Sequence, residues 1–206
     1  MSGYVSDAVI RRLPAYYRHL RELDEAGVVQ ISSQDLGEKM RLTPSQIRQD
    51  INSFGGFGRQ GYGYDVKELK EHIRELMGIN REHRMAIIGA GRVGQAIANH
   101  IGFRKEGFIP VGMFDIFPGK NVGGDLSAFS VEELEERLPD MDVSIAVLAV
   151  PAEAAQEMLD RAYRLGVRAF WNFAPVDLSV PRDAVVVSAH LIDSLFTLGY
   201  RMEQPE

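Results

Sequence analysis

A glycine motif between a short apolar segment and a helical pattern constrains the fold of this chain more than any other feature. Met85 to Ile88 is an apolar run typical of a buried parallel strand, and Ala96, Ile97 and Ile101 follow at helical spacing. Glycines between them permit a tight turn, close approach of a diphosphate to the backbone and close packing of helix on strand. The pattern predicts a diphosphate-binding turn formed by Gly89, Ala90, Gly91, Arg92, Val93 and Gly94.

An acidic residue after the next predicted strand indicates which dinucleotide fits. Ile109 to Phe114 is apolar, and Asp115 follows it, 21 residues after Gly94. A carboxylate there binds the adenosine ribose hydroxyls and repels a 2′-phosphate. The spacing predicts NAD(H) rather than NADP(H). Because domains of this type also hold coenzyme A, that ligand stays open as an alternative.

Strand and helix patterns alternate through the rest of the C-terminal half. Ser130 and Glu133 are predicted to cap a helix, Val143 to Val150 and Val167 to Trp171 read as strands, and residues 152 to 165 read as a helix. The alternation predicts an α/β fold with a doubly wound parallel sheet, the Rossmann fold. Ligands of such sheets bind beyond the strand ends, so we expect the nicotinamide to be enclosed by Val150, Pro151, Asn172, Phe173, Ala174 and Pro175.

The N-terminal part has the pattern of a small helical domain. Apolar residues at helical spacing predict a first helix from Ile10 to Leu23 and a short second helix around Leu36 and Met40. A third helix begins at Thr43-Pro44-Ser45-Gln46, a predicted capping box in which the Thr43 hydroxyl and the Gln46 side chain each bind the other residue's backbone.

The polar face of the third helix is a candidate for reading DNA. Ile47 and Ile51 share the buried face, so most of the polar side chains point outward. Arg forms two hydrogen bonds with guanine, and Gln does so with adenine. A solvated polar face is the alternative interpretation. The predicted base contacts are Ser45, Gln46, Arg48, Gln49 and Asn52.

Aromatic residues and glycines alternate from Phe54 to Tyr64, which predicts a short hairpin. Three helices followed by a hairpin form a winged helix, whose wing would place Arg59, Gln60 and Tyr62 on DNA. A flexible glycine-rich loop is the alternative, although flexible linkers rarely carry aromatic anchors. Residues 66 to 76 are predicted to form an amphipathic connecting helix.

The last predicted helix is too apolar to lie free in water. Leu191, Ile192, Leu195 and Phe196 are among its residues, so we predict a homodimer that buries them. Roughly eighteen residues follow the last predicted strand, near Ala184 to Val187, which leaves no room for the substrate domain of most dehydrogenases. The predicted domains are 1–78 for DNA binding, 79–188 for NAD(H) binding and 189–206 for dimerisation.

Composition excludes several classes of protein. The chain has no cysteine, which excludes disulfides and thiol redox sensing, and its five histidines are scattered, so we predict no metal site. No apolar run approaches the roughly 20 residues of a membrane span, and the first residues lack a signal peptide's apolar core. We expect a cytoplasmic protein without membrane contact. Its net charge of −6 still leaves room for a local basic face.

Taken together, these segments resemble the Rex family of bacterial redox-sensing repressors over essentially the whole chain. The resemblance implies a winged-helix domain joined to a Rossmann domain and a dimer with an exchanged C-terminal helix. It further implies binding to palindromic operator DNA when NADH is scarce relative to NAD, and release when NADH binds. The segments that carry it are SSQDLGEKMRLTPSQIRQDINSFGGFGRQGYGYDV, IIGAGRVGQAIANH, AVPAEAAQ, WNFAPVDLSVP and AHLIDSLFTL.

Two positions depart from the family pattern. His190 lies where several members carry an acidic residue that pairs with an arginine of the first helix, here Arg18, and His100 lies where many carry tyrosine. The resemblance makes these three residues candidates for switch contacts, and Phe196 is a further candidate because its ring could help to enclose the nicotinamide. Surface or capping histidines are the alternative interpretation.

An enzyme is the main alternative to a repressor. A compact NAD-dependent oxidoreductase would use His100 or His190 as its acid or base. The sequence lacks the Ser/Tyr/Lys constellation of short-chain dehydrogenases, so we predict no catalytic residue.

Overall fold

The computed structural model describes residues 5–55, 63–118 and 126–204. Contacts between residues divide the chain into two compact units, Met1–Arg81 and Glu82–Glu206. Each unit has a hydrophobic core of its own.

The N-terminal unit combines helices with a two-stranded antiparallel sheet. In that sheet Gln30 pairs with Asp65 and Ile31 with Tyr64. The chain after the third predicted helix therefore returns to pair with the segment that precedes the second predicted helix. The elements are α1 (Asp7–Ile10), α2 (Leu13–Glu25), β1 (Gln30–Ile31), α3 (Ser33–Met40), α4 (Pro44–Phe54), β2 (Tyr64–Asp65) and α5 (Val66–Leu76).

The first predicted helix is in fact two helices. α1 ends at Ile10, and α2 begins at Leu13 with Pro14 in its first turn. In a continuous helix Pro14 would lack the N–H that bonds to the Ile10 carbonyl, and its ring would clash with that carbonyl. In the first turn of a helix the missing N–H costs nothing. The prediction of one helix from Ile10 to Leu23 is therefore wrong.

The N-terminal core brings the apolar faces of these helices together. A close turn sets α3 beside α4, because Arg41 takes a left-handed conformation and a Cβ on Gly37 would lie 2.6 Å from the Leu42 carbonyl oxygen. This arrangement is a helix-turn-helix with α4 as its second helix. The fully buried side chains include Tyr16, Leu20, Leu36, Ile47, Ile51, Leu69 and Ile73.

The C-terminal unit has a six-stranded parallel sheet in the order β5-β4-β3-β6-β7-β8. Counted from the first strand of this unit the order is 3-2-1-4-5-6, the Rossmann order, whose connections reverse direction between β3 and β6. The strands are β3 (His83–Ile88), β4 (Phe108–Asp115), β5 (Ala128–Ser130), β6 (Ile145–Leu148), β7 (Ala169–Asn172) and β8 (Val185–Ser188).

Helices pack on both faces of this sheet. Apolar residues of α8 and α9 cover one face, and those of α6 and α7 cover part of the other. Ser130 and Glu133 form the predicted capping box, although the turn that it opens, Val131–Glu133, is a 3₁₀ helix that precedes α8. The helices are α6 (Arg92–Ala98), α7 (Ile101–Lys105), α8 (Leu134–Arg137), α9 (Ala152–Arg164) and α10 (Leu191–Glu203).

The helix predicted after the glycine motif also breaks in two. α6 ends at Ala98, where the Asn99 side chain donates to the Gln95 carbonyl, and His100 is extended before α7 begins. Ile101 is consequently 71% exposed instead of continuing the buried face of Ile97. The single helix predicted through Ile101 is wrong because a side chain caps α6 before that residue.

The last helix has no buried residue within the described chain. Leu195 is 59% exposed and Phe196 is 68% exposed, and the other apolar side chains of α10 are similar. This much apolar surface on one helix is unusual for a free monomer. No helix among the described residues has the length and apolar character needed to cross a membrane.

Candidate nucleotide site and nucleic-acid interface

The three motif glycines have different surroundings in the turn after β3. Gly89 has a φ of +107°, and a Cβ there would overlap the Ala149 carbonyl oxygen. A Cβ on Gly94 would overlap the Gly89 carbonyl oxygen, so this glycine lets α6 pack on the turn. A Cβ on Gly91 would meet nothing within 4 Å. Two glycines are thus required by the fold, and the third borders open space that a diphosphate could fill.

The start of α6 offers backbone donors to that space. Gly91 is the N-cap and provides no side chain, so the N–H groups of the first turn have no side-chain acceptor. Arg92 and Val93 are exposed at this end of the helix. Such N–H groups are suited to phosphate oxygens.

Asp115 lies at the end of β4, next to the glycine turn. Its Oδ2 accepts from the Ala90 N–H at 2.6 Å, and its Oδ1 accepts from the Phe117 N–H at 2.9 Å. These bonds hold the carboxylate at the rim of the turn. Each carboxylate oxygen can accept a further hydrogen bond, so the ribose hydroxyls of a dinucleotide remain possible donors.

The predicted nicotinamide wall divides into exposed and buried residues. Pro151 and Pro175 are exposed, and Val150 and Phe173 are half-buried. Asn172 is fully buried, where its Nδ2 donates to the Val176 carbonyl and the Ser188 hydroxyl and its Oδ1 accepts from the Ala174 N–H.

Asn172 therefore shapes the loop after β7 from inside the protein. Asn172 and Ala174 are 0% and 1% exposed. The direct cofactor contact predicted for these two residues stays a prediction. The sequence pattern does not reveal this burial, because one partner of the Asn172 amide, the Ser188 hydroxyl, lies 16 residues away on β8.

An aromatic ladder connects His100 to the wall. The His100 ring lies 4.4 Å from Phe103, Phe103 lies 5.5 Å from Trp171, and Trp171 lies 4.6 Å from Phe173, measured between ring centroids. Trp171 is the only tryptophan of the chain. A change at Phe173 can thus reach His100 through contacting rings.

The other switch candidates lie on helix surfaces or ends. His190 precedes α10, with its Nδ1 3.6 Å from Asp193 Oδ2 and its Nε2 buried without a partner among the described residues. Phe196 is too exposed for this chain alone to bury it against the wall. Arg18 is exposed on α2.

Sequence reasoning missed an apolar groove on one face of the sheet. Its volume is about 370 Å³, and it lies beside α7 where no helix of the described chain covers β7 and β8. The signal was present in Val185 and Val187, two apolar residues on one side of the last strand. The groove is lined by Met85, Phe103, Phe108, Ile145, Ala169, Phe170, Trp171, Val185 and Val187.

In the N-terminal unit, α4 presents the predicted polar face. The Thr43 hydroxyl accepts from the Gln46 N–H at 3.1 Å, as expected. The second half of the predicted capping box is absent, because Gln46 Nε2 donates to Asp50 Oδ1 at 2.7 Å instead of reaching back to Thr43. Gln46 is half-buried, whereas the exposed residues are Ser45, Arg48, Gln49 and Asn52.

Arg48 is held in place on the exposed side of α4. Its Nη1 donates to the Ser33 hydroxyl at 2.9 Å and its Nη2 to the Ser45 hydroxyl at 3.2 Å. Both hydrogen bonds are exposed to solvent, so they can be exchanged for bonds to a ligand. Arg59, Gln60 and Tyr62 lie outside the described residues.

A buried carboxylate anchors α4 to α2. Asp50 is 0% exposed and receives two hydrogen bonds from Arg12, at 2.7 and 2.8 Å, and one from the Tyr16 hydroxyl at 3.0 Å. Burial raises the pKa of Asp50, but the bonds from Arg12, Gln46 and Tyr16 outweigh it and hold the pKa below its usual value. An acidic residue on the Ile47–Ile51–Phe54 face of the helix was the available signal.

Removing Arg12 is expected to reverse the response of the N-terminal unit to acid. In the native chain the depressed pKa of Asp50 stabilises the fold at neutral pH, and this stabilisation is lost as the pH falls below about 4. In Arg12→Ala the buried carboxylate loses its counter-ion, which costs about 3 kcal/mol at pH 7. Burial then raises its pKa, so stability rises as the pH falls from 7 towards 5.

Thermal denaturation between pH 7 and pH 3 measures this effect. Arg11→Ala, at the exposed neighbouring arginine, is the matched control and should follow the native chain. A parallel pH dependence in Arg12→Ala and the native chain would show that the ion pair contributes nothing.

Within the described ranges, no three His, Asp or Glu side chains come together as a metal site.

Residues 4–52 match the protein family described as "Putative DNA-binding protein N-terminus", and residues 80–176 match the family described as "CoA binding domain".

Curated relatives and solved structures match nearly the whole chain. Redox-sensing transcriptional repressor Rex of Thermoanaerobacter sp. (strain X514) is 47% identical over 205 residues, which cover 98% of this chain and 91% of the relative. The structure of RSP in complex with β-NAD⁺ and operator DNA has a TM-score of 0.91 at 47% identity and covers 98% of this chain and 94% of RSP. The structure of RSP with β-NADH has a TM-score of 0.88 at 45% identity, with 97% and 95% covered.

Proposed function

Because the chain belongs to the Rex family of redox-sensing transcriptional repressors, we propose that it binds palindromic operator DNA and that NADH releases it. The carrying observation is the near-complete match to RSP, which has been solved with NAD⁺ and operator DNA and with NADH. NAD(H) is the effector, and the protein works in the cytoplasm, where bacterial operators lie.

The glycine turn and the wall supply the cofactor site. Backbone N–H groups of the first turn of α6 bind the diphosphate above Gly91, and Asp115 binds the adenosine ribose. Val150, Pro151 and Phe173 enclose the nicotinamide. Since the oxidised ring is a cation and the reduced ring is neutral, an apolar enclosure favours NADH. Nearly complete release requires a preference of about 5 kcal/mol for the released state, summed over the sites of the dimer.

Operator release tests this proposal. Protein bound to a palindromic duplex is titrated with NADH and then NAD⁺ at one stated salt concentration, because affinity for DNA depends on salt. NADH is expected to release the duplex at a far lower concentration. Equal release by both cofactors, or no binding to any duplex, would overturn the proposal.

Coenzyme A is the alternative ligand of the C-terminal unit. The shift of the melting temperature with coenzyme A, compared with the shift with NADH, tests which of the two binds.

The charge on Asp115 is expected to set the preference for NADH over NADPH. Asp115→Asn keeps an oxygen acceptor but removes the charge that repels a 2′-phosphate, so the preference should fall about tenfold. Quenching of Trp171 fluorescence on cofactor binding, through energy transfer to the reduced nicotinamide, reports both affinities. An unchanged preference would place the ribose away from this carboxylate.

Base reading falls to α4, with Arg48 as its principal contact. Arg48→Ala should weaken operator binding by roughly 30-fold or more, because one base contact of two hydrogen bonds, about 1–3 kcal/mol, is lost from each subunit. Binding to a scrambled duplex should change little, and NADH should still quench Trp171. Normal operator affinity in this variant would mean that α4 does not read the bases.

The other proposed DNA contacts lie on both sides of Arg48. Ser45, Gln49 and Asn52 complete the polar face of α4, and a wing with Arg59, Gln60 and Tyr62 contacts the DNA backbone or the minor groove.

Dimerisation gives the exposed α10 and the apolar groove a common role. The groove lies where a Rossmann domain ordinarily places a helix over its last strands, and α10 of the same chain leaves it open. We assign the groove to α10 of a second copy, in keeping with the exchanged helix that the family resemblance implies. The domains are then 1–78, 79–188 and 189–206.

Four residues are the candidates for coupling cofactor to DNA release. His100 connects to the wall through the aromatic ladder, so it can respond to the nicotinamide. His190 and Phe196 lie on the exchanged helix segment, and Arg18 lies on α2. A neutral imidazole at 190 cannot form the ion pair that an acidic residue would form with Arg18.

The protein is not an enzyme in this proposal. The rings of Phe103 and Trp171 lie between His100 and Phe173, and the Nε2 of His190 is buried, so neither imidazole is presented as an acid or base beside the wall. Oxidation of NADH in the presence of a panel of carbonyl substrates tests the oxidoreductase alternative, and turnover there would contradict the repressor assignment.

A further inference from the structure

Asp50 connects the fold of the N-terminal unit to a side chain on the DNA-facing helix. Its two oxygens accept four hydrogen bonds, two from Arg12, one from Tyr16 and one from Gln46 Nε2 at 2.7 Å. A carboxylate has about four acceptor positions, so this one is saturated. Because the Arg12 and Tyr16 bonds tie Asp50 to α2, the carboxylate is a fixed acceptor beneath Gln46.

A fixed acceptor determines which way the Gln46 amide points. The two ends of a glutamine amide have nearly the same shape but opposite hydrogen-bonding character. An ionised carboxylate only accepts, so Nε2 must face Asp50. The remaining atom, Oε1, receives no hydrogen bond from a described residue and is not closed off from solvent. Gln46 therefore presents its oxygen, an acceptor, on the outer side of α4.

We propose that Asp50 is a specificity-determining positioning residue. It makes Gln46 select adenine or cytosine, the bases that present an amino group in the major groove, at the position that Gln46 contacts. This rests on the proposed function, because it requires α4 to read the operator. In the major groove, adenine N6 and cytosine N4 donate hydrogen bonds, whereas guanine O6 and thymine O4 accept them. An outward Oε1 therefore accepts a hydrogen bond from adenine or cytosine and is repelled by the oxygen of guanine or thymine.

The same geometry separates the two glutamines of α4. Gln49 is exposed and has no carboxylate four residues later, so its amide can turn either end towards a base. Gln46 has lost that freedom. The structure assigns base selection to Gln46 and a tolerant contact to Gln49.

Operator variants measure the selection directly. Each symmetric base-pair position of the palindrome is changed to all four bases, and the full-length protein with NAD⁺ is titrated at one salt concentration. At one pair of positions the native chain should prefer adenine or cytosine over guanine and thymine by about tenfold or more. Gln46→Leu should remove the preference at those positions alone and thereby identify them.

Asp50→Asn tests whether the carboxylate causes that preference. An amide at 50 both donates and accepts, so Gln46 can turn either way and the preference should fall to about twofold. Tyr16→Phe is the matched control, because it removes another hydrogen bond of Asp50 and leaves the one to Gln46. Tyr16→Phe should lower thermal stability but keep the base preference. If Asp50 had only a structural role, Asp50→Asn and Tyr16→Phe would change the base preference alike.

Several results would overturn this inference. They are a preference for guanine or thymine at the positions that Gln46→Leu affects, an unchanged base profile in Gln46→Leu, or an unchanged profile in Asp50→Asn. If Asp50→Asn fails to fold, the first two results still decide. A protein that ignores all duplexes, or that NADH does not release, contradicts the proposed function instead, so the two failures are distinguishable.

Discussion

Replacing Gly94 with alanine is expected to abolish NADH binding and to destabilise the C-terminal unit. The added Cβ would overlap the Gly89 carbonyl oxygen and lie 3.2 Å from Ile87 Cγ2, so α6 would have to move away from β3. Overpacking against backbone that cannot move costs about 3 kcal/mol or more. A protein of this size should then melt about 10 °C lower. Thermal denaturation and quenching of Trp171 by NADH measure both effects.

Gly91→Ala is the control that separates cofactor binding from folding. Its added methyl group would meet nothing within 4 Å, and the φ of −69° at Gly91 suits alanine. The melting temperature should stay within about 1 °C, whereas NADH affinity should fall about tenfold or more, because the methyl group occupies the space left for the diphosphate. Normal NADH affinity in Gly91→Ala would mean that the diphosphate does not cross the turn there.

Placing charges on α10 is expected to dissociate the dimer and with it operator binding. The double variant Leu195→Glu and Phe196→Glu puts two carboxylates on surface that is 59% and 68% exposed in a single chain but buried in the proposed dimer. A monomer can hold one half-site, so affinity for the palindrome should fall about a thousandfold or more. Sedimentation should give half the native mass.

Thr197→Glu on the same helix is the matched control. Thr197 lies between Asp193 and Arg201 on the polar stripe of α10, so a charge there should leave mass and operator affinity nearly unchanged. A dimeric Leu195→Glu and Phe196→Glu variant that still binds the palindrome would exclude α10 from the interface.

Local patterns predicted most of the secondary structure and the fold class. The glycine motif, the alternation of strand and helix and the Thr43 cap depend on residues close together in the chain, and the structure reproduces each of them. Matches to Rex proteins and to RSP confirm the predicted family and fold class. At Pro14 and Asn99 the sequence predicts a continuous helix where the structure has a break. The apolar stripe continues across each break, and hydrophobic periodicity alone does not indicate where a helix is capped.

Long-range contacts account for what the patterns missed. The role of Asp50 is not visible in the sequence because its partner Arg12 is 38 residues away. The burial of Asn172 is likewise not visible, because the Ser188 hydroxyl that its amide contacts is 16 residues away. The groove went unnoticed for the same reason, since its lining comes from separate strands and α7.

The amino-acid sequence by itself determined that this protein has a dinucleotide-type parallel sheet after a small helical DNA-binding domain, because hydrophobic periodicity, caps and glycine spacing act over a few residues. Only the tertiary structure decided that Gly94 is needed for packing while Gly91 borders open space, and that Gln46 turns its oxygen outward. Those outcomes depend on which atoms from distant segments occupy the neighbouring volume, and no local pattern encodes that.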